Sequence, residues 1–282
     1  MKQQFRLLPL ALLPIIAIAI FTLFPATPAE ARPPRCTPVK QIDNLQSERV
    51  LESRGFHVHE AGPGSVDFHG RGAGAIAELN LPQLLPADPQ VPVVDQLNAA
   101  RITEAGQGAR CWQPTEAFDV VAEFEIRFTA AVTPPGVTET AFLWNAPLEA
   151  DVPEPLTAFG VTRNQLLVDM IEDYDANYSA AVAQDLDLLD FGGYLEVAPM
   201  GVDPTEWHTV RITMSMDQVV IEAAQDGNFE TVLKGNPPGP IEPLIFEFSL
   251  DNEVFPGFYA PVSVPDTLEI ESLSIRRVPA GE

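Results

Sequence analysis

The sequence predicts an all-β protein, an antiparallel two-sheet sandwich, on three observations. Apolar and polar residues alternate with period two in run after run, most plainly at FDVVAEFEIRF, residues 118–128. The 28 prolines and 18 glycines fall largely between such runs, where they make turns rather than disorder. No regular alternation of strand and helix patterns points to a parallel sheet.

The first 31 residues are set apart as a secretory signal peptide. Lys2 and Arg6 give a positive start, Leu7 to Phe24 is an uncharged apolar run, and Ala29-Glu30-Ala31 is a small-x-small cleavage site. An uncleaved anchor is the competing reading, since the run has 18 residues, barely enough for a span. Pro9, Pro14, Pro25 and Pro28 favour cleavage. Arg-Pro-Pro-Arg before Cys36 is no lipobox.

Without those residues the chain holds 14 basic against 39 acidic residues, a formal charge of −25. Such a charge repels nucleic acid and anionic membrane surfaces, so neither is expected as a partner. It fits cation binding, or simply a solvated acidic surface. Cys36 and Cys111 are the only cysteines, and in an exported chain one disulfide between them is expected. Two free buried thiols are the alternative. Two lone cysteines and four scattered histidines make no zinc site.

Three regions follow: the signal, an N-terminal extension over 32–99 packed on the sandwich, and the sandwich itself over 100–282. The extension opens with a polar, Pro-rich lead and a weakly helical stretch around Gln46 to Ser53. Short strands are expected at Phe56–His59, Val66–His69 and Ala75–Leu79, then an irregular loop from Pro82 to Pro92. Phe118 to Phe128 puts Phe118, Val120, Ala122, Phe124, Ile126 and Phe128 on one face and Asp119, Glu123, Glu125 and Arg127 on the other. Strands are also expected at Thr140–Trp144, Thr157–Val161, Gln165–Met170 and Tyr194–Val197. Tyr178 to Leu189 reads as either a short helix or strand edges. EWHTVRITMSM, 206–216, alternates again with His208, Val210, Ile212, Met214 and Met216 on one face. Its hairpin partner is Gln218–Ala224, followed by the turn Asp226-Gly227-Asn228. Ile245–Leu250 and Thr267–Arg277 close the set.

From about Ala100 to Arg277 the chain resembles the concanavalin A-like, laminin G-like jelly-roll superfamily. FDVVAEFEIRF as an early core strand, EWHTVRITMSMDQVVIEAAQDG as a Trp-led strand and hairpin, and DTLEIESLSIRRV as the last strand carry the resemblance. It implies two curved antiparallel sheets, often with carbohydrate on or beside the concave face. Lectins, adhesion modules, laminarinase-type glycoside hydrolases and keto-disaccharide hydrolases share it, and fold alone does not choose among them.

Retaining glycosidases need two carboxyl groups about 5–5.5 Å apart. The Glu-x-Asp-x-x-Glu pattern of laminarinase-type enzymes is absent, although Glu123 and Glu125 share one strand face. Asp173, Asp175 and Asn177 open like a calcium loop, but Tyr178 and Gln184 at its sixth and twelfth positions exclude an EF-hand. Calcium at a different loop stays open, and no other cofactor is expected. Neither a Gly-x-Ser-x-Gly elbow nor a phosphate-binding glycine loop occurs. The four histidines His57, His59, His69 and His208 leave a triad formally open; His57 and His59 share a strand face two residues apart, where a metal could bind, but read as ordinary sheet or surface histidines.

Trp207 is assigned to the core, leaving Trp144, Tyr174 and Tyr178 as stacking platforms for a sugar, with a buried Trp144 as the competing reading. The candidate ligand-binding set is therefore Glu123, Glu125, Arg127 and Trp144, with no catalytic residue assigned. The alternative for its charged members is a solvated cross-strand charge cluster. The functional expectation is a secreted, non-catalytic module that binds carbohydrate or a cell-surface partner. Its alternatives are a secreted carbohydrate-active hydrolase using carboxylates on the sheet face, and a structural envelope protein.

Overall fold

The strand of clearest alternation is where the fold is anchored. In the computed structural model, which describes residues 38–83, 98–104, 111–132, 138–145, 156–171, 193–237, 241, 244–252 and 264–281, β6 spans Phe118–Phe128. Val120, Ala122, Phe124, Ile126 and Phe128 are buried, while Glu123, Glu125 and Arg127 face outward and are half-buried. All described residues fall in the second of two units, Pro34–Glu282, the first being Met1–Pro33.

Around β6 the elements run β1 (Val39–Ile42), α1 (Glu48–Ser53), β2 (Phe56–Ala61), β3 (Ser65–His69), β4 (Ile76–Leu81) and β5 (Asn98–Glu104) before it. After it come β7 (Thr138–Asn145), β8 (Leu156–Val161), β9 (Gln165–Ile171), β10 (Gly193–Pro199), β11 (His208–Met214), β12 (Val219–Gln225), β13 (Asn228–Gly235), β14 (Leu244–Asn252) and β15 (Asp266–Pro279). The first sheet has the order β13-β12-β11-β6-β15-β4-β3, and the second β10-β9-β8-β7-β14-β5-β2. Every pairing is antiparallel.

β15 is the spine of the first sheet. One edge pairs with β6 along its length; the other pairs with β4 through Asp266–Ile270 and then with β1 through Leu273–Arg276. A bulge between Ile270 and Ser272 lies where β4 hands over to β1. The two sheets meet through aromatic rings: Phe124 of the first packs edge-on against Phe246 and Phe248 of the second, at 5.3 and 5.4 Å between centroids. Such contacts add about 0.5–1.5 kcal/mol each beyond the area they bury.

Two buried polar nodes cross-link the layers. Glu104 of β5 accepts from Trp112 Nε1 at 2.7 Å and from Lys40 of β1. Arg163, in the β8–β9 turn, pairs with Asp266 of β15 and donates to the carbonyls of Ala130 and Val132 at 3.0 Å each.

The structure corrects several sequence expectations. The strands before residue 100 are not an extension packed on the sandwich: β1, β3 and β4 belong to the first sheet, and β2 and β5 to the second. Short edge segments such as VKQI gain their ladder from a partner far along the chain, which alternation within the segment does not reveal. β1 and β13 were not expected as strands. β11 stops at Met214, and Met216 is 42% exposed instead of continuing the apolar row. The turn after β12 forms as expected, with Asp226 and Gly227 at positive φ (57° and 79°), the pair a tight hairpin of this hand requires. Tyr178 to Leu189 and most of Pro82 to Pro92 lie outside the described residues.

Candidate functional site

On β6, period two turns Glu123, Glu125 and Arg127 away from the core, and register brings them against the outward residues of β11 and β15. Arg211 lies opposite Glu123, with Nε 2.8 Å from its carboxylate; Glu222 stands 3.8 Å on the other side, and Arg276 reaches Glu123 at 3.7 Å. Arg127 pairs with Glu269, its register partner. The charged members of the expected site thus form a cross-strand ion-pair lattice, the competing reading for this face. Glu125 has no cation in that lattice. Burial, with the bulge residue Glu271 nearby, raises its carboxyl above the usual range.

Trp144 is not on this face. It lies on β7 of the second sheet, in register with Ile245 and Ala158, whereas the outward side of the first sheet faces away from that layer. Its side chain lies outside the described part. The ring that does stand beside the lattice is Trp207, which is not in the core as the sequence leads one to expect: it is half-buried, with the Arg127 guanidinium 4.8 Å from its centroid. Among the described side chains the fully buried tryptophan is Trp112, which no alternating pattern marks.

At the other end of the same face, beyond Glu123, a cleft of about 380 Å³ opens between the start of β6, the β11–β12 turn and Gly281. Asp119, Thr213, Ser215, Met216, Asp217 and Val220 are among its lining residues. Asp119 accepts from Gly281 N at 3.1 Å, which fixes one of its oxygens. Lys234 is the register partner of Val220. Asp119 was legible as an outward residue of β6; the remainder of the lining comes from a turn and from sheet neighbours. A smaller cavity of about 150 Å³ lies between Glu123, Glu125, Thr209, Ser272 and Asp43.

The second sheet's outward face carries His57 and His59, both exposed, on β2, paired with Thr103 and Arg101 of β5. Thr103 donates to Glu247 of β14 at 2.6 Å. Ile245 and Ser249 are buried although they alternate with the core residues Phe246, Phe248 and Leu250, so this face is sheltered there.

A β-1,3-1,4-glucanase (lichenase) from a mouse hindgut metagenome aligns over 86% of this chain and 100% of its own, at 9% identity and a TM-score of 0.51. The fold is the concanavalin A-like jelly roll. The Emp46p carbohydrate recognition domain in its metal-free form also aligns, at 10% identity over 83% of this chain and 94% of its own, with a TM-score of 0.47. So does the Ca²⁺/Man3GlcNAc-bound exoplasmic/lumenal domain of VIP36, at 8% identity over 86% and 90%, with a TM-score of 0.46. No family model and no curated protein matches the sequence. At these identities the likeness is one of fold.

Asp173, Asp175 and Asn177, the calcium candidates, and Tyr174 and Tyr178 lie outside the described residues. Among the described residues no cluster of three or more His, Cys, Asp or Glu is placed to hold a metal. No helix among them is long and apolar enough to cross a membrane. Cys111 is not a free thiol, and Cys36 lies outside the described residues.

Proposed function

We propose that the chain is an exported β-sandwich module that binds carbohydrate without cleaving it, in the cleft at the Asp119 end of the first sheet's outward face. The observation that carries this reading is the cleft itself. At about 380 Å³ it is within the range of small-ligand sites, roughly 300–1,000 Å³. Carboxylates of Asp119 and Asp217 and hydroxyls of Thr213 and Ser215 suit sugar hydroxyls, and Met216 and Val220 offer an apolar wall to a ring face. The jelly roll shared with the lichenase makes β-glucan oligosaccharides the first probes.

The hydrolase reading draws on Glu123 and Glu125. They flank one cavity, and their surroundings differ, Glu123 being held by Arg211 and Arg276 while Glu125 is raised by burial. Such a split suits an acid and a base. The cavity holds only about 150 Å³, about half the lower limit of ordinary ligand sites, so binding is preferred.

Titration calorimetry with β-glucan oligosaccharides, with and without calcium, tests both readings. Asp217→Asn should weaken binding by roughly 10- to 100-fold, the usual worth of a hydrogen bond to a charged group, while Arg211→Ala leaves it unchanged. Wild-type affinity in a folded Asp217→Asn variant would remove the cleft. Recovery of shortened oligosaccharide, abolished by Glu125→Gln, would establish the hydrolase instead.

A further inference from the structure

His208 opens β11 on its core-facing row, with Val210, Ile212 and Met214 behind it and Ile126 of β6 opposite. Its residue is 1% exposed. Nδ1 lies 2.9 Å from the Glu206 carbonyl, so that nitrogen carries the proton and donates; Nε2 is enclosed without a hydrogen-bond partner. A neutral ring with a bare lone pair is tolerable there. A protonated ring would place a charged N–H among apolar side chains with no acceptor, which costs several kcal/mol unless the group moves to water.

The segment that leads into this residue and hydrogen-bonds its ring through the Glu206 carbonyl is the crossover from β10, at the edge of the second sheet, to β11 in the first. It is pinned at few points. Met200 N donates to Asn164 O and Phe128 N to Pro204 O, each at 2.8 Å, and Glu206 N reaches Asp203 O at 3.2 Å. Asp203 Oδ1 accepts from Thr205 N at 2.9 Å and Thr205 Oγ1 at 2.7 Å, closing a small turn. Val202 alone of its interior packs on the core. Trp207, the last residue before His208, carries the ring beneath Arg127.

We infer that residues 201–207 form an acid-released strap, latched between the two sheets by the neutral His208 ring and opened when that ring takes a proton and leaves the core. The charged groups around it do not offset the change. Asp203 is the one carboxylate that draws a proton toward the ring, and it sits on the exposed outer side of the strap. Glu206 is exposed and contributes its carbonyl. From β6 the opposed residue is apolar Ile126, with Arg127 turned to the other face. At the same end, the β8–β9 turn and β15 bring Arg163 and Asp266, which are joined to each other. Burial holds the imidazole below the usual histidine value against the pull of the Glu206 carbonyl and Asp203.

The sign follows from that direction. A histidine whose folded value is depressed binds more protons when unfolded or released, so its latch is intact above the ordinary value and weakens as pH falls below it. The inference does not depend on glycan binding.

Hydrogen exchange read by mass spectrometry on the full chain, corrected for intrinsic rates, tests it at about pH 7.5 and about pH 5. Protection of 201–207 relative to β6 should fall by about ten-fold or more at the lower pH, one pH unit of linkage being ten-fold. In His208→Asn, whose amide can still donate to Glu206 but does not titrate, the ratio should be the same at both values. Unchanged protection in the wild type, or an equal acid loss in His208→Asn, overturns the strap. Should that variant fail to fold, direct NMR titration of His208 decides: a ring that protonates at or above the ordinary value with the strap still protected also overturns it.

Discussion

Glu125 and Glu123 stand two residues apart on one strand face and differ in what surrounds them. Glu123 is held by two arginines, whereas Glu125 is raised by burial and by Glu271 across the bulge. Because the folded value of Glu125 is above its unfolded one, what it contributes to stability is present below the unfolded value and lost as pH rises through the folded one. Glu125→Gln should therefore stabilise the protein at neutral pH, by no more than about 1 kcal/mol given solvent screening, and give no gain at pH below the ordinary carboxylate range. Urea denaturation at the two pH values checks this, and equal stabilisation at both would contradict it. Period two made the outward placement of Glu123, Glu125 and Arg127 legible, since Phe124 and Ile126 must point inward. It carries no information about which sheet another strand joins. For that reason alternation alone groups Trp144 with residues of the other layer, and places Trp207 in the core although it lies one residue before the buried row of β11 begins. His208 is legible only as a member of that row; its unpartnered nitrogen is a property of the packing.

Among elements, the β8–β9 turn is tied to β15 by the most deeply buried charges of the described residues. Both side chains of the Arg163–Asp266 pair are fully enclosed, and the guanidinium also lies 4.5 Å from the Phe128 ring centroid. Burial pushes the Asp266 carboxyl up in spite of Arg163, as expected where desolvation exceeds the attraction of one partner. Arg163→Ala should cost about 3–5 kcal/mol, because it strands that carboxyl without its cation. Replacing both residues together, as Arg163→Met with Asp266→Leu, should recover most of the loss. A single variant as stable as the wild type would show that the pair holds nothing in place. Neither residue announces itself in the sequence: Arg163 sits in a turn signal, and Asp266 reads as a polar strand start. The strands themselves were legible where they are long and central, as in β6 and β11. Edge strands β1 and β13 were not, because their order comes from the neighbour that pairs with them.

Across the whole molecule, the expected Cys36–Cys111 bond would close a loop of about 75 residues and contribute roughly 4 kcal/mol by chain entropy. Tryptic mapping without reduction should recover the two cysteines in one linked peptide, and alkylation of either in the native protein would refute the pairing. The backbone at Cys111 is held in place, its carbonyl taking a hydrogen bond from Arg277 Nε at 2.9 Å and its neighbour Trp112 reaching Glu104. The 32–99 boundary failed at this scale for a physical reason, since two sheets need edges and the early strands supply them on both layers. The position of β15 also governs the order of assembly. β6 receives β15 along its whole length, and β4 and β1 are joined to the first sheet through β15. While the chain emerges from its amino end, β1 and β4 have no ladder on that side, and β6 keeps one bare edge until residues 266–279 arrive. Completion of this layer therefore waits for β15: β6, β11, β12 and β13 can pair beforehand, but β4 and β1 join them only through pairings between segments far apart in the chain, the kind that form slowly.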